Sequence, residues 1–177
     1  MFDSMRRSRQ ALSDKECEKI LKEGTSGVLA LAGTEGFPYA VPMSYVYDGK
    51  RLYFHCAKSG HKLDLIRQNA AASFCVIGQD RVVSEAYTTH YKSVIAFGRI
   101  RILEEEKEKY QAIEKLALKY APNDTAQRRK EAIERDWEPL CMLEMTLEHV
   151  TGKQASELAK QHEAQQEIGV PDGGDHR

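Results

Sequence analysis

Residues 39–56 read YAVPMSYVYDGKRLYFHC, and this stretch decides the fold. The pair Asp48-Gly49 separates two aromatic-rich runs, and such a pair between strand-like runs is a strong signal for a β-hairpin. Pro42 cannot donate a hydrogen bond to a neighbouring strand, so the first run is expected at a sheet edge or with its backbone nitrogens facing elsewhere. The protein is therefore predicted to be built on antiparallel strands.

Outward from this hairpin, strand-like and helix-like patterns alternate along the chain. The most regular pattern has a period of two residues and predicts a strand that ends the barrel. Its apolar residues Cys141, Leu143, Met145 and Leu147 point one way, and Glu144, Thr146 and Glu148 point the other. A first helix is predicted to begin after Ser13, which has capping-box spacing with Glu16, and to stop at Gly24 in the left-handed conformation that glycine favours. Further strands are predicted at residues 27–32, 72–77, 82–87 and 94–103, and further helices at residues 61–69, 104–120 and 125–136.

These patterns predict a fold class that is mainly β with flanking helices. About six strands with a few helices between them are typical of an antiparallel barrel with helices packed outside it. In the longest predicted helix, Tyr110, Ile113, Ala117 and Tyr120 fall on one face, which is the face expected to pack.

Composition and charge exclude several classes of protein. The chain has 177 residues with 26 Lys and Arg against 27 Asp and Glu, and the net charge of −1 argues against an overall basic nucleic-acid binder. The four cysteines form no CxxC pair, and no apolar run has the length of a signal peptide core or a membrane span. We expect a soluble, cytoplasmic protein with one domain over residues 1–160 and a flexible tail over residues 161–177.

The first candidate site follows the strand that ends near Cys56. Ser59, Gly60, His61 and Lys62 stand at the start of a helix, whose unpaired amides and partial positive charge suit a phosphate group. Gly60 allows the backbone to approach an anion closely, and its neighbours add donors and charge. An ordinary capped helix with a solvated Lys62 is the alternative interpretation.

Two further stretches carry candidate ligand contacts. An edge strand with proline, serine and aromatic residues leaves main-chain groups free for a flat polar ligand such as a flavin ring, although a proline that protects an edge from aggregation gives the same pattern. Its residues are Pro42, Met43, Ser44 and Tyr45. A basic segment at the start of the strand over residues 94–103 faces either a ligand or solvent. Its residues are Tyr91, Lys92 and Ser93.

Metal and nucleophile chemistry receive weaker support. His55, Cys56 and His61 are close in sequence but lack the spacing of zinc ligands. A nucleophilic Cys–His pair with Cys56 or Cys75 stays open, although a cysteine in an apolar strand is more often inert core. The basic residues 5–9 lack the interleaved aromatic residues of a nucleic-acid platform.

Five short motifs occur in the order found in one family. Together they resemble the FMN-binding split-barrel superfamily of pyridoxamine 5′-phosphate oxidase-like proteins, and within it the branch of nitroimidazole resistance proteins. The motifs are Met5-Arg6-Arg7, Gly27-Val28-Leu29-Ala30 with residues 38–45 (PYAVPMSY), residues 52–57 (LYFHCA) with Gly60-His61-Lys62, residues 93–99 (SVIAFGR) and residues 148–153 (EHVTGK).

The resemblance implies a six-stranded antiparallel split β-barrel that forms a two-fold homodimer, with FMN in clefts at the subunit interface. It implies that Lys62 and His61 hold the FMN phosphate with Ser59 nearby, and that His55 and Ala57 contact the ring and the ribityl chain. Pro42, Met43, Ser44 and Tyr45 are implied to line the edge of the isoalloxazine ring, and Ser93 with Tyr91 or Lys92 to complete the site. Trp137 is a candidate for covering the cleft from the partner subunit on its size and position alone.

The same resemblance suggests a flavoprotein reductase. FMN is expected to take electrons from NAD(P)H and pass them to a small oxidised substrate such as a nitroaromatic compound, with His55 or His61 as a proton donor. The acidic, glycine-rich residues 171–177 replace the basic C-terminal stretch that grips a substrate phosphate in pyridoxamine phosphate oxidases, which argues against that specific oxidation. The alternatives are a non-catalytic flavin- or haem-binding dimer, a deazaflavin in place of FMN, and a cofactor-free interaction domain.

Overall fold

The structure is a computed structural model that describes Phe2, residues 5–34 and residues 36–160. Its strands are β1 (Ser26–Leu31), β2 (Tyr39–Ser44), β3 (Val46–Tyr47), β4 (Arg51–Ala57), β5 (Ala71–Val83), β6 (Thr88–Ile102) and β7 (Leu140–Gln154). Its α-helices are α1 (Asp14–Glu23), α2 (His61–Gln68), α3 (Glu106–Tyr120) and α4 (Ala126–Arg135). The predicted mainly β fold with flanking helices is confirmed.

Within the described residues, the strands form one antiparallel sheet in the order β2-β1-β5-β6-β7-β4-β3. The two edge strands, β2 and β3, follow each other in the chain with only Tyr45 between them. The end of β2 and the start of β3 are therefore held close together, although these two edge strands do not pair with each other. The sheet is an open barrel rather than a closed one.

The run predicted as one strand over residues 39–47 divides at Tyr45 into β2 and β3. The Tyr45 side chain is fully buried, and its hydroxyl donates to the carbonyl oxygen of Leu21 at 2.8 Å. Its backbone N–H donates to the hydroxyl of Tyr120 at 3.0 Å instead of to a neighbouring strand. These contacts turn the chain from one sheet edge to the other.

The strands predicted at residues 72–77 and 82–87 belong to a single hairpin arm. β5 continues from Ala71 to Val83 because an irregularity in register between Ile77 and Gln79 lets its pairing with β6 resume. Residues 84–86 form a 3₁₀ turn rather than the end of a strand.

Apolar residues pack on both faces of the sheet. Inside the barrel, Phe74 makes edge-on contacts with Tyr45 and Phe54 at centroid distances of 4.9 and 5.0 Å. Outside it, α3 covers β4 and β7 by packing Leu116 against Tyr53 and Met142. The helix predicted at residues 104–120 thus lies outside the barrel, as expected.

Helix α1 begins as predicted but ends differently. The Ser13 hydroxyl accepts from the Glu16 amide at 3.3 Å, and the Glu16 carboxylate accepts from the Ser13 amide at 3.0 Å. Gly24 is extended, with φ −62°, so the predicted left-handed stop is wrong. A side chain is excluded there for a different reason, because a Cβ atom would lie 2.7 Å from the Tyr45 hydroxyl oxygen and 2.8 Å from Val76.

Among the helices of the described residues, none has both the length and the apolar character needed to cross a membrane. The tail predicted over residues 161–177 lies outside the described residues.

Candidate functional site

The turn between β4 and α2 has the geometry of an anion-binding helix start. Gly60 is the N-cap residue with φ +131°, a conformation that side-chain-bearing residues rarely adopt. No side chain caps α2, whereas Ser13 caps α1 and Thr125 caps α4. The predicted helix start is therefore present, and it is not the ordinary side-chain-capped helix of the alternative interpretation.

Several potential hydrogen-bond donors lie at this uncapped helix start. The first helical hydrogen bond runs from the Leu63 amide to the Gly60 carbonyl at 2.9 Å, so the preceding amides have no acceptor within the helix. Ser59 and His61 are exposed and Lys62 is half-buried, and the His61 ring stands edge-on to Tyr39 at 5.1 Å. The aligned amides and the Lys62 ammonium suit a phosphate group.

Residues of β4 and β2 divide between the two faces of the sheet. His55 and Ala57 are exposed on the outer face of β4, which continues directly into the α2 turn. On β2, Pro42 and Ser44 are exposed, while Met43 is buried in the barrel with Tyr45 just beyond it. Of the β2 residues predicted to line a ring, only Pro42 and Ser44 present accessible side chains.

A cavity of about 360 Å³ lies beside this outer face. Ser44 and His55 form its sheet side, and α3 and α4 form the other. The helices and the segments beside them contribute an apolar surface and four polar residues, and Leu140 of β7 adds to the apolar lining. The apolar lining includes Ile113, Leu116, Ala117, Ala132, Ile133 and Leu140, and the polar residues are Tyr120, Asp124, Arg129 and Asp136.

Three polar residues of this cavity, Asp124, Arg129 and Asp136, were not found from the sequence. The sequence did predict one wall of the cavity. Ile113, Ala117 and Tyr120 share the apolar face of α3, and all three line the cavity. Arg129 gave no signal, since a charged residue on a short helix is usually solvated. It is half-buried and donates to the carbonyl oxygen of Asp124 at 3.4 Å.

The C-terminal end of α3 anchors the junction between β2 and β3. The Tyr120 hydroxyl accepts from the Tyr45 amide and contacts the carbonyl oxygens of Thr25 and Tyr45. The Lys119 ammonium donates to the carbonyl oxygens of Gly24 and Tyr45 and lies over the Tyr45 ring at 4.2 Å. Burial lowers the pKa of Lys119. These contacts hold the strand that ends at Ser44 against the cavity.

The predicted site residues on β6 do not lie beside the α2 turn within one chain. These residues are Tyr91, Lys92 and Ser93. Ala57 pairs with Leu140 at the start of β7, whereas Ser93 pairs with Lys153 near its end. The Lys92 ammonium is 3.2 Å from a carboxylate oxygen of Glu16 on α1. Tyr91 is half-buried on the same strand.

Trp137 lies in the segment between α4 and β7. The Lys109 ammonium lies 4.1 Å from its ring centre and donates to its carbonyl oxygen at 3.1 Å. The ring of Tyr110 is 6.0 Å away. The indole is half-buried and packs against α3 of its own chain.

The structure gives no support to a Cys–His nucleophile at Cys56 or Cys75. Burial raises the pKa of Cys75, and a hydrogen bond to Cys141 together with burial raises that of Cys56. Neither thiol is thus prepared as a nucleophile paired with histidine. Within residues 2, 5–34 and 36–160, no three His, Cys, Asp or Glu side chains are grouped to hold a metal ion.

The sequence matches the profile of the pyridoxamine 5′-phosphate oxidase family over residues 13–154. The chain belongs to this family. A curated relative, an uncharacterised protein of Rhizobium meliloti (strain 1021), is 30% identical over 94 residues. That match spans 53% of this chain and 57% of the relative.

Solved structures share the split-barrel fold. A proposed 5-nitroimidazole antibiotic resistance protein of Bacteroides thetaiotaomicron is 20% identical, with 81% of this chain and 86% of that chain covered and a TM-score of 0.69. An FAD-binding protein of Mesorhizobium loti is 28% identical, with 83% and 98% covered and a TM-score of 0.60. The flavocytochrome Anf3 of Azotobacter vinelandii is 14% identical, with 86% and 72% covered and a TM-score of 0.68.

Proposed function

We propose that this protein is an FMN-dependent reductase that moves electrons from NAD(P)H to a small oxidised substrate, with nitroaromatic compounds as the first class to test. The uncapped start of α2, with Gly60 at φ +131° and Lys62 beside it, carries the proposal. The family and a flavin-binding similar structure support a flavin as the ligand. A cytoplasmic location stays a prediction from the sequence.

The proposed cofactor site runs from the α2 turn along the outer face of the sheet. The phosphate would accept hydrogen bonds from the amides at the helix start, the Ser59 hydroxyl and the side chains of His61 and Lys62. The ribityl chain and the ring would follow Ala57 and His55 towards Pro42 and Ser44. Met43 and Tyr45 would act through the core, by fixing the strand that presents Pro42 and Ser44.

We propose that a second copy of the chain completes each site. Val28, Cys75 and Ile95 stand directly opposite one another across β1, β5 and β6. Val28 is 40% exposed and Ile95 is 37% exposed, and together they form an apolar row on the outer face of the sheet. A two-fold dimer through this face would cover the row and bring Ser93, Tyr91 or Lys92 of one chain to the α2 turn of the other.

The cavity beside His55 supports the proposed substrate class. Its walls are mainly apolar, and its volume of about 360 Å³ suits a small aromatic molecule. When bound, FMN supplies the hydride acceptor and the electron donor of the reaction. His55 lines the cavity from the sheet side, and in this proposal its imidazole would donate a proton to a reduced substrate there. Arg129, on the opposite wall, would stabilise a negative charge such as that on a nitro group.

The test is the visible spectrum of the purified protein, followed by NAD(P)H oxidation with a nitroaromatic or quinone acceptor. The proposal predicts the two absorption bands of oxidised flavin, native or after addition of FMN, and acceptor-dependent turnover. A flavin spectrum without turnover for any acceptor would favour a non-catalytic flavin-binding dimer. A haem Soret band, or a colourless protein that takes up no flavin, would contradict the proposal.

A further inference from the structure

Two cysteines face each other directly inside the barrel. Cys56 on β4 and Cys141 on β7 are register partners, and both pack with the residues of the barrel interior. Directly opposed residues of an antiparallel pair have Cα atoms about 4.5–5.5 Å apart, and disulfides span about 4.4–6.8 Å between Cα atoms. The backbone positions of this pair thus fall within the range of a disulfide without a change of strand register.

The surroundings of the pair favour one ionised sulfur. A hydrogen bond from Cys56, and then the positive charges of Lys109, Arg67 and Lys62, hold the pKa of the Cys141 thiol below its ordinary value against the opposing effect of burial. Cys141 is buried and Cys56 is half-buried, so the Cys56 side is the more accessible side of the pair. A thiolate beside a second thiol is the arrangement from which disulfides form.

The other two cysteines lack these features. Cys17 is buried, and burial together with Asp14 and Glu16 raises its pKa to about 11. Cys75 is half-buried like Cys56, but its register partners are Val28 and Ile95, and burial raises its pKa. Cys75→Ser is therefore a control that removes one thiol without changing the opposed pair.

We propose that Cys56 and Cys141 form a reversible thiol–disulfide pair that reacts with hydroperoxides. The ionised sulfur attacks the terminal oxygen of the hydroperoxide and the O–O bond breaks. That oxygen and its hydrogen stay on the sulfur as a sulfenic acid, and the alkoxide that leaves takes a proton from the solvent to become the alcohol. The second sulfur then forms the S–S bond and releases water. Two electrons pass from the two sulfurs to the hydroperoxide, and a dithiol reductant reverses the change.

The experiment treats the full chain with hydrogen peroxide and counts thiols in denaturant. We expect the count to fall from four to two, a chain mass lower by about 2 Da, a cross-linked peptide pair containing Cys56 and Cys141, and recovery with dithiothreitol. Cys75→Ser should behave like the wild type, whereas Cys56→Ser should lose the cross-link. Because the bridge joins strands that are distant in sequence, the melting temperature of the oxidised wild type should rise by several degrees.

Three results would overturn the proposal. One is a thiol count that stays at four. Another is a cross-link through Cys75 in place of the expected pair. The third is stable addition of oxygen to single sulfurs with a lower melting temperature, because a charged sulfinate inside the barrel would destabilise it. The wild-type measurements decide these points even if a variant fails to fold.

Discussion

Gly60 fixes the conformation of the candidate phosphate site. Its φ of +131° is strained for any residue with a side chain, although nothing lies within 4 Å of a Cβ atom at this position. Strain of this kind costs about 1–3 kcal/mol, so a side chain here would either lower stability or shift the turn. The amides at the start of α2 depend on this single residue for their direction.

We therefore predict that Gly60→Ala weakens FMN binding by about tenfold, since a displaced amide loses one charge-assisted hydrogen bond of about 1.5 kcal/mol. Fluorescence titration with FMN measures this change. Gly36→Ala is the matched control, because Gly36 also has positive φ and open space around its Cβ position but lies in another turn. Equal FMN affinity in both variants would contradict the role given to the α2 turn.

At the scale of elements, α3 holds the junction between β2 and β3 through its last turn. Tyr120→Phe removes the acceptor of the Tyr45 amide and should lower the free energy of unfolding by about 1–2 kcal/mol. Chemical denaturation followed by circular dichroism measures the difference. Tyr87→Phe is the control, because Tyr87 is 98% exposed. The assignment fails if the two variants are equally stable.

The β3–β4 hairpin is tied to α3 by Asp48. Although burial opposes ionisation, hydrogen bonds from Lys115, the Arg51 and Lys50 amides and Tyr53 lower the pKa of Asp48 from 3.8 to about 2. Because the folded-state pKa is depressed, this contribution to stability is complete above pH 3.8 and is lost as pH falls towards 2.

Asp48→Asn should therefore be less stable than the wild type near neutral pH, and the gap should close as pH falls from 3.8 to about 2. Denaturation at a series of pH values measures the gap, with the exposed Asp80→Asn as control. A gap that is constant across this range would show that the Asp48 carboxylate does not contribute as its contacts indicate.

The sequence predicted elements whose signals are local. The Asp48-Gly49 turn, the Ser13 cap and the alternation in β7 all depend on neighbours within a few residues, and the structure contains all three. The break at Tyr45 depends on Leu21 and Tyr120, which are far away in sequence. The cavity was likewise predicted only in part, because its walls come from strands and helices that are far apart in sequence.

At the scale of the whole molecule, residues that are predicted to contact the same flavin lie far apart within one chain. The resemblance predicted both Lys62 and Ser93 as cofactor contacts, but β4 and the Ser93 end of β6 lie at opposite ends of β7. No local sequence pattern reports whether two segments meet within one copy or between two. The apolar row on β1, β5 and β6 is the surface on which the dimer proposal depends.

We predict that Ile95→Glu converts a dimer into a monomer, because an ionised side chain would be buried at the centre of the proposed interface. Light scattering after size exclusion should give twice the chain mass of 20.1 kDa for the wild type and the chain mass for the variant. Leu118→Glu, at an apolar position of α3 that is 46% exposed, should remain dimeric. A monomeric wild type, or a dimeric Ile95→Glu variant, would contradict this interface.

The most direct test of the central claim compares FMN with riboflavin, which lacks the phosphate group. We predict that the wild type binds FMN at least about tenfold more tightly than riboflavin, and that Lys62→Ala weakens FMN binding by about 10- to 100-fold while leaving riboflavin binding unchanged. Lys50→Ala, at the opposite end of β4, should change neither affinity. Equal affinity of the wild type for the two ligands, or an equal loss of both in Lys62→Ala, would contradict a phosphate site at the start of α2.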